Sequence, residues 1–345
     1  KQESNGRLLT CINYAYQPDM PYSPSEVDHR AGAKAHRLSS IDIFTSPHEY
    51  WHRGLGESGN LRTFAESLAL HGKLFIDEAD ERTHLQQTGD MFRCATNLWE
   101  SLQVLRRSFG VAFSHGVGMW YMDHTSGSWY NDPAFFKDFA KYQKWANYSM
   151  QLPRDHQAQV ALISSNKSEF YVAADTQLDA QFIEAQVDEL SHAGAPFDRY
   201  YIEDLAEGLI PEHKVYLFLD CFYLDEEERQ AIDQLKKSNH TLVWFYAPGF
   251  CTSTNLSLDS LSNLTGITFT QSAVAFDYIN ISTSLFPKSP AQYRAWHENF
   301  GSLKQLSPRF VANDAGAMVW GKYTNGQNGL VKKDMGTWTS IYSPT

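Results

Sequence analysis

The stretch Gly72-Lys73-Leu74-Phe75-Ile76-Asp77-Glu78-Ala79-Asp80-Glu81-Arg82-Thr83-His84 decides how this chain is read. Leu74, Phe75 and Ile76 are too short and too evenly apolar a run for a surface helix, and Gly72 punctuates their start, so they predict a strand. Four acids and an arginine follow within six residues, Asp77 to Arg82. If the strand belongs to a parallel sheet, its C-terminal end is where barrels and open α/β sheets bind ligands. Side chains alternate faces along a strand, so one of Asp77 and Glu78 points inward in either register. Such a carboxylate suits a nucleophile, a general base or a metal ligand. The competing reading is a solvated charged turn with one internal Asp–Arg pair.

Working outward, the strands on either side repeat the arrangement. Arg7–Tyr14 is an apolar-rich strand, followed by a proline-punctuated loop from Gln17 to Ser25 and a helix near Ser25–His36. Ile41–Thr45 is a second strand, closed by Ser46-Pro47. It leads into His48-Glu49-Tyr50-Trp51-His52-Arg53-Gly54, a polar, aromatic, glycine-bearing loop of the kind that carries function when a rigid scaffold places it. A helix at Arg62–Leu70 precedes the carboxylate strand. After it, Met91, Ala95, Leu98, Trp99, Leu102 and Leu105 recur at helical spacing, with Gly110 expected as the terminating residue. Val111-Ala112-Phe113 then reads as a fourth strand running toward Gly118–Asp123, with an aromatic exit loop, His124 to Tyr130, and a helix at Pro133–Met150. Four strand–loop–helix units predict a parallel sheet with right-handed crossovers. Their functional-looking residues all follow strands, as in a (β/α) barrel, yet a complete barrel needs eight units and about 250 residues.

Leu152–His156 reads as a linker. Beyond it, Gln159–Ser164, Pro196–Ile202, Lys214–Asp220 and Thr241–Tyr246 are expected strands, alternating with helices at Asp179–Ala193 and from Asp225, a good N-cap, to Lys237. This predicts an open doubly wound sheet of flavodoxin type. No G-x-G-x-x-G or phosphate-loop pattern is present, so no nucleotide and no other cofactor is expected. From Leu258 to Thr345 the pattern is short strands and turns, ending after a strand at Trp338–Tyr342.

Composition narrows the partners. The 345 residues are 42% hydrophobic and 20% charged, ordinary for a globular chain. A net charge of −11 without a basic run argues against nucleic acid. No apolar run approaches the roughly 18 residues that span a bilayer, so no membrane partner is expected. Cys11, Cys94, Cys221 and Cys251 lack metal-type spacing and read as reduced structural thiols. His48 with His52, and His115 with His124, invite a metal reading, but Pro47 and Gly54 argue against a helix and no H-E-x-x-H occurs, so no metal is expected. The chain begins at Lys1 with no signal region to read, which leaves cytoplasmic and periplasmic or secreted locations open.

The order "LLTCINYAY", "IDIFTSPHEY", "KLFIDEADERTH", "GMWYMDHTSGSWY" resembles barrel strands five to eight of glycoside hydrolase family 42 and its relatives in clan A. "VYLFLDCFYLDEEERQAI" and "TLVWFYAPG" are similar to the amidotransferase-like trimerisation domain of those β-galactosidases. The resemblance implies the C-terminal half of a (β/α)8 barrel over 1–152, followed by a flavodoxin-like domain over 157–345. It implies a retaining O-glycosyl hydrolase acting on a glycoside or oligosaccharide, and a homo-oligomer, a trimer or a dimer. The family's nucleophile is a glutamate at the end of strand seven, and Glu78 is the matching position, with Asp77 the alternative if the register slips by one. The family's acid/base glutamate follows an asparagine on strand four, and no Asn-Glu pair occurs on any strand here, so the chain is expected to lack it. Tyr50, His48, Arg53, Arg82, Trp120, Asp123 and Trp129 are the expected substrate-side residues, with the tryptophans stacking on a sugar and Asp123 holding hydroxyls. A non-catalytic carbohydrate-binding or oligomerisation module is the alternative.

Overall fold

The computed structural model describes residues 6–14, 31–50, 52–86, 94–124, 127–153, 157–173, 178, 180–276, 278–288, 292–294 and 306–345. Helices alternate with largely parallel sheets, a mixed α/β protein. Contacts divide the described residues into two compact units: one holds those of Lys1–Asp19, Lys34–Gln157 and Val187–Gly194, the other those of Met20–Ala33, Ala158–Gln186 and Ala195–Thr345.

In the first unit, β1 (Cys11–Asn13), β2 (Ile43–Pro47), β3 (Leu74–Ala79) and β4 (Gly118–Tyr121) form a sheet in sequence order, every pair parallel. Its two faces differ. Ile12, Phe44 and Phe75 are lateral neighbours on one face. They pack with Ala35 of α1 (Gly32–His36), with Ala65 and Leu68 of α2 (Ala65–Leu70), and with Val111 and Val117. On the opposite face Cys11, Asn13, Leu74 and Trp120 are exposed, while Ile43, Thr45 and Ile76 are half-buried. Among the described residues β1 and β4 each pair with one strand only, so both edges of the sheet are open.

Two expectations are corrected here. Val111-Ala112-Phe113 is not a strand, and Gly110 does not end the helix. Both belong to α3 (Leu98–Ser114), which Asn97 caps by accepting the Glu100 N–H at 3.0 Å. Val104, Leu105, Ser108 and Ala112 keep one buried stripe going through the glycine. Packing therefore outweighs the β-branched, aromatic composition of the segment, and the turn comes at Gly116, where φ is +66°. Of the helix's expected start, Met91 lies outside the described residues and Ala95 precedes α3. Of the helix expected near Ser25–His36, residues 25–30 lie outside the described residues. After β4 comes α4 (Pro133–Ser149), opened by Asp132. A cavity of about 680 Å³ is lined by β4, α3 and α4, chiefly Phe109, Phe113, Met119, Tyr121, Phe139 and Tyr142.

In the second unit, β5 (Val160–Ser164), β6 (Phe197–Tyr201), β7 (Val215–Phe218), β8 (Thr241–Phe245) and β16 (Thr339–Ser343) lie side by side and parallel, in the order β6-β5-β7-β8-β16. Counted along the chain that order is 2-1-3-4-5. Two antiparallel strands, β15 (Val331–Asp334) and β13 (Met318–Val319), extend the β16 side. A π turn at Ala180–Glu184 precedes α5 (Ala185–Ala193), whose residues from Val187 on are counted with the first unit, and α6 (Ile202–Ala206) follows β6. The C-terminal region also contains a helix that reading it as strands and turns missed: α8 (Leu258–Thr265), capped by Ser257 and stopped by left-handed Gly266. The remaining strands pair antiparallel in two small sheets. β9 (Phe269–Ser272) joins β12 (Arg309–Ala312), and β10 (Tyr278–Ile281) lies between β11 (Gln292–Arg294) and β14 (Gly321–Tyr323).

α7 (Glu226–Leu235) opens with a capping box: Glu228 N–H donates to Asp225 Oδ1 at 3.0 Å and Asp225 N–H donates to Glu228 Oε2 at 2.8 Å. Asp225→Ala is expected to destabilise the protein by about 1 kcal/mol, read as a lower denaturation midpoint.

Candidate active site

Strand β3 runs three residues beyond the apolar core of the motif, so Asp77 and Glu78 both lie inside it and take opposite faces. Asp77 follows Phe75 to the helix-covered side. Glu78 follows Ile76 to the open side, where its register neighbours are Pro47 of β2 and Trp120 of β4. Glu78 makes no hydrogen bond or ion pair among the described residues and is 8% exposed. Burial raises its carboxyl above the usual glutamate range; the Asp80 charge adds to this and His124 opposes it.

The other acids of the motif are committed. Asp77 Oδ2 lies 3.3 Å from His48 Nδ1, and His48 Nε2 lies 3.2 Å from Glu81 Oε1, with all three side chains buried. Burial raises the Asp77 carboxyl, although His48 pulls the other way. Asp80 meets Arg53 Nη1 at 2.6 Å through one oxygen and Arg82 Nη1 at 3.0 Å through the other, with His124 Nε2 at 3.5 Å. Burial alone would raise Asp80, but the charges of Arg53, His48 and Arg82 outweigh it and hold the carboxyl below the ordinary aspartate range.

The loop after β2 is tied into this cluster by main-chain contacts. Arg53 Nε donates to Glu49 O at 2.7 Å and Arg53 Nη2 to His48 O at 2.8 Å. The ring of Tyr50 lies beneath two guanidinium groups, Arg53 at 4.0 Å and Arg62 at 4.2 Å. From α3, Arg107 Nη1 donates to the carbonyls of Arg53, Gly54 and Glu57 at 3.1, 2.9 and 3.2 Å. Gly59 turns beside that guanidinium with φ +56°, where a Cβ would overlap Arg107. Gly59→Ala therefore combines backbone strain with loss of the clamp. We expect it to cost more than about 1 kcal/mol and to expose the loop to proteolysis.

Seven of the nine sequence-predicted residues fall into three groups, and Asp123 and Trp129 stand apart from them. Glu78 and Trp120, the latter 44% exposed, share the open face. His48 and Asp77 share the covered face. Tyr50, Arg53 and Arg82 surround Asp80 and the loop. Asp123 is exposed and accepts the Trp129 N–H at 3.1 Å. Trp129 is packed rather than presented: it is buried with Leu105, Tyr130 and Phe135, and Arg82 sits 4.9 Å over its ring. It is therefore no stacking platform. The sequence points to neither Glu81, Arg62 nor Arg107 as part of the site; Glu81 stands inside the acidic motif, whereas Arg107 lies on α3 with no local signal of its role. Among the described residues no group of three or more His, Cys, Asp or Glu side chains is arranged to hold a metal ion. His52 instead contacts Glu49 Oε1 at 3.1 Å, and His115 pairs with Glu66. Cys221 is buried, and burial with the nearby Asp220 charge pushes its thiol well up.

No family model matches the chain. No curated protein sequence matches it either. Solved structures do. Gan42B, a GH42 β-galactosidase from G. stearothermophilus, is similar at TM-score 0.60 and 15% identity, covering 99% of this chain and 52% of that one. The cold-adapted β-galactosidase from Rahnella sp. R3 is similar at 0.60 and 13%, covering 90% and 49%. The exo-β-1,4-mannosidase Op5Man5 from Opitutaceae bacterium strain TAV5 is similar at 0.55 and 12%, covering 88% and 55%. At such identities the likeness is one of fold, and the chain spans about half the length of these structures. The fold is similar to that of part of these glycoside hydrolase structures.

Proposed function

We propose that this chain carries the nucleophile side of a retaining glycoside hydrolase acting on β-glycosides, β-galactosidase-like, with Glu78 as the nucleophile. One observation carries the reading: of the acids ending β3, Glu78 alone faces the open side of the sheet and is unpaired among the described residues. An all-parallel, sequential sheet with helices on one face and two open edges supports reading residues 1–152 as half of a (β/α)8 barrel, whose interior is the open face. The 2-1-3-4-5 order supports reading 157–345 as a flavodoxin-like domain. The same reading carries a homo-oligomer, a trimer or a dimer.

In the proposed chemistry a Glu78 oxygen attacks the anomeric carbon as the glycosidic C–O bond breaks, and water later releases the sugar. A second carboxyl, about 5–5.5 Å away in retaining enzymes, protonates the leaving oxygen. Asp77 and Glu81 lie against buried His48, and Asp80 is held by Arg53 and Arg82, so none of these three is assigned that role. Trp120, beside Glu78, offers an exposed ring for the sugar. Without the acid, general-acid assistance of about 10²–10⁴-fold is missing, and only glycosides with good leaving groups react readily.

Glu78→Ala with added azide tests this. On an activated aryl β-glycoside, azide should restore turnover and give the α-glycosyl azide; no azide product, with turnover unchanged from wild type, removes Glu78 from the role. Activity should also fall as pH drops, because the nucleophile must be ionised, and its acid limb should lie above the ordinary glutamate range. A pH profile of wild-type turnover checks this. The second reading, a non-catalytic carbohydrate-binding or assembly module, is favoured by the pairing of the other three acids. Sugar binding without turnover would support it.

A further inference from the structure

The loop after β2 is held from a second side by a helix that comes from much further along the chain. Residues Val187–Gly194 of α5 are counted with the first unit, while the chain before and after them, Ala158–Gln186 and Ala195–Thr345, is counted with the second. The sequence thus leaves the second unit, supplies one helical segment to the first, and returns.

The contacts fall on the returning half of the loop. Ser58 Oγ donates to Asp188 Oδ1 at 2.5 Å, and the other Asp188 oxygen lies 3.7 Å from His52 Nε2. Asn60 Nδ2 donates to Ser58 Oγ at 2.9 Å, and Ser191 Oγ lies 3.1 Å from Asn60 Oδ1. His192 Nε2 lies 3.3 Å from the Gly56 carbonyl. The Asp188 side chain is 13% exposed, and a carboxylate so far out of water is stable only where polar partners meet it. The loop is closed on itself: Glu49 N–H donates to Asn60 O at 3.0 Å and Gly59 N–H to His52 O at 2.8 Å. A hold on its return therefore also fixes its outgoing half. Arg107 of α3 grips the carbonyls of Arg53, Gly54 and Glu57, whereas α5 grips Gly56, Ser58 and Asn60, so the two holds do not duplicate each other.

The outgoing half carries Arg53. Its guanidinium meets Asp80 Oδ1 at 2.6 Å and holds the His48 and Glu49 carbonyls, tying the loop to the end of β3, two residues past Glu78. We infer that Asp188 is a positioning residue of the candidate site: through Ser58 and His52 it fixes the loop that carries Arg53, and Arg53 fixes the strand end that presents Glu78. The clamp on the loop stands on its own contacts; its effect on the chemistry rests on the Glu78 reading.

Two readouts on Asp188→Ala separate the clamp from its effect. Amide hydrogen exchange in the peptide spanning 49–60, which holds the Gly59 and Glu49 N–H groups, should quicken about tenfold or more, the scale of one lost hydrogen bond to a charged acceptor. Covalent labelling of Glu78 by a 2-fluoro β-glycoside with a dinitrophenyl leaving group should slow by up to about 100-fold, the scale of a misplacement near 1 Å, with probe affinity close to wild type. Asp188→Asn keeps an oxygen for Ser58 and should label close to the wild-type rate. Rates are read well below each variant's unfolding midpoint, so lost stability alone does not move them. Ser58→Ala removes the same bond from the loop side and serves if Asp188→Ala does not fold. Exchange at the wild-type rate overturns the clamp. Labelling at the wild-type rate despite quickened exchange overturns the positioning role. If the wild type itself takes no label, the Glu78 reading fails and the positioning role falls with it, while exchange still decides the clamp.

Discussion

Glu78→Gln is expected to reduce turnover of activated β-glycosides to background while leaving the denaturation midpoint close to wild type. Asp77→Asn should do the reverse. The two neighbours differ in what they touch rather than in chemistry. Glu78 contributes no hydrogen bond or ion pair to the described structure, and its amide replacement removes a buried charge whose ionisation burial and Asp80 already disfavour. Its loss is thus a loss of reactivity. Asp77 belongs to the buried trio with His48 and Glu81, and the amide disturbs the partner of a buried ring nitrogen. Leaving such a group poorly satisfied costs about 1–3 kcal/mol. Parallel turnover and urea-unfolding measurements on both variants check the split. Loss of turnover in Asp77→Asn alone, with Glu78→Gln active, would place the strand in the opposite register.

Arg53→Met should be among the most destabilising single changes in the first unit. Arg53 is 1% exposed and meets Asp80, which is fully buried, at 2.6 Å, while holding the carbonyls of His48 and Glu49. Removing one partner of a buried pair leaves an uncompensated charge, at about 3–5 kcal/mol. Arg82 remains on the other Asp80 oxygen and sets the lower end of that range. The effect should show as a lower urea midpoint with little change in slope. It should also depend on pH in a defined sense. Because the native Asp80 carboxyl is held below the ordinary aspartate value, its ionisation stabilises the fold above about pH 4 and that stability is lost as pH falls through the native value. In the variant burial faces less opposing charge, so the gap between wild type and Arg53→Met should narrow from pH 6 toward pH 3.

The strand ends were legible because local signals agreed there. Gly72, the apolar triplet and the abrupt run of acids locate β3, and alternation alone says that Asp77 and Glu78 part company. Which of them faces the open side was not legible, because it depends on Phe75 packing in one core with Ala35 and Phe44, residues from segments far from it in sequence. Val111–Phe113 misled for a related reason: its composition suits a strand, but Val111 meets the sheet core from a helix. Trp120 and Trp129 read alike as aromatic residues near a strand end, yet one lies within β4 on its open face and the other folds back under Arg82. The His48 bridge spans 29 residues to Asp77 and left no trace in spacing. By contrast, Asp225 announced the start of α7 through local chemistry, and it is found there.

The most direct measurement is covalent trapping with a 2-fluoro β-glycoside bearing a dinitrophenyl leaving group, which needs little acid assistance. Mass spectrometry on the peptide containing Leu74–Arg82 should find the sugar attached to Glu78, which identifies the nucleophile and the retaining course together. An adduct on Asp77, or no adduct across galacto, gluco and manno probes, would contradict the assignment of Glu78 as the nucleophile.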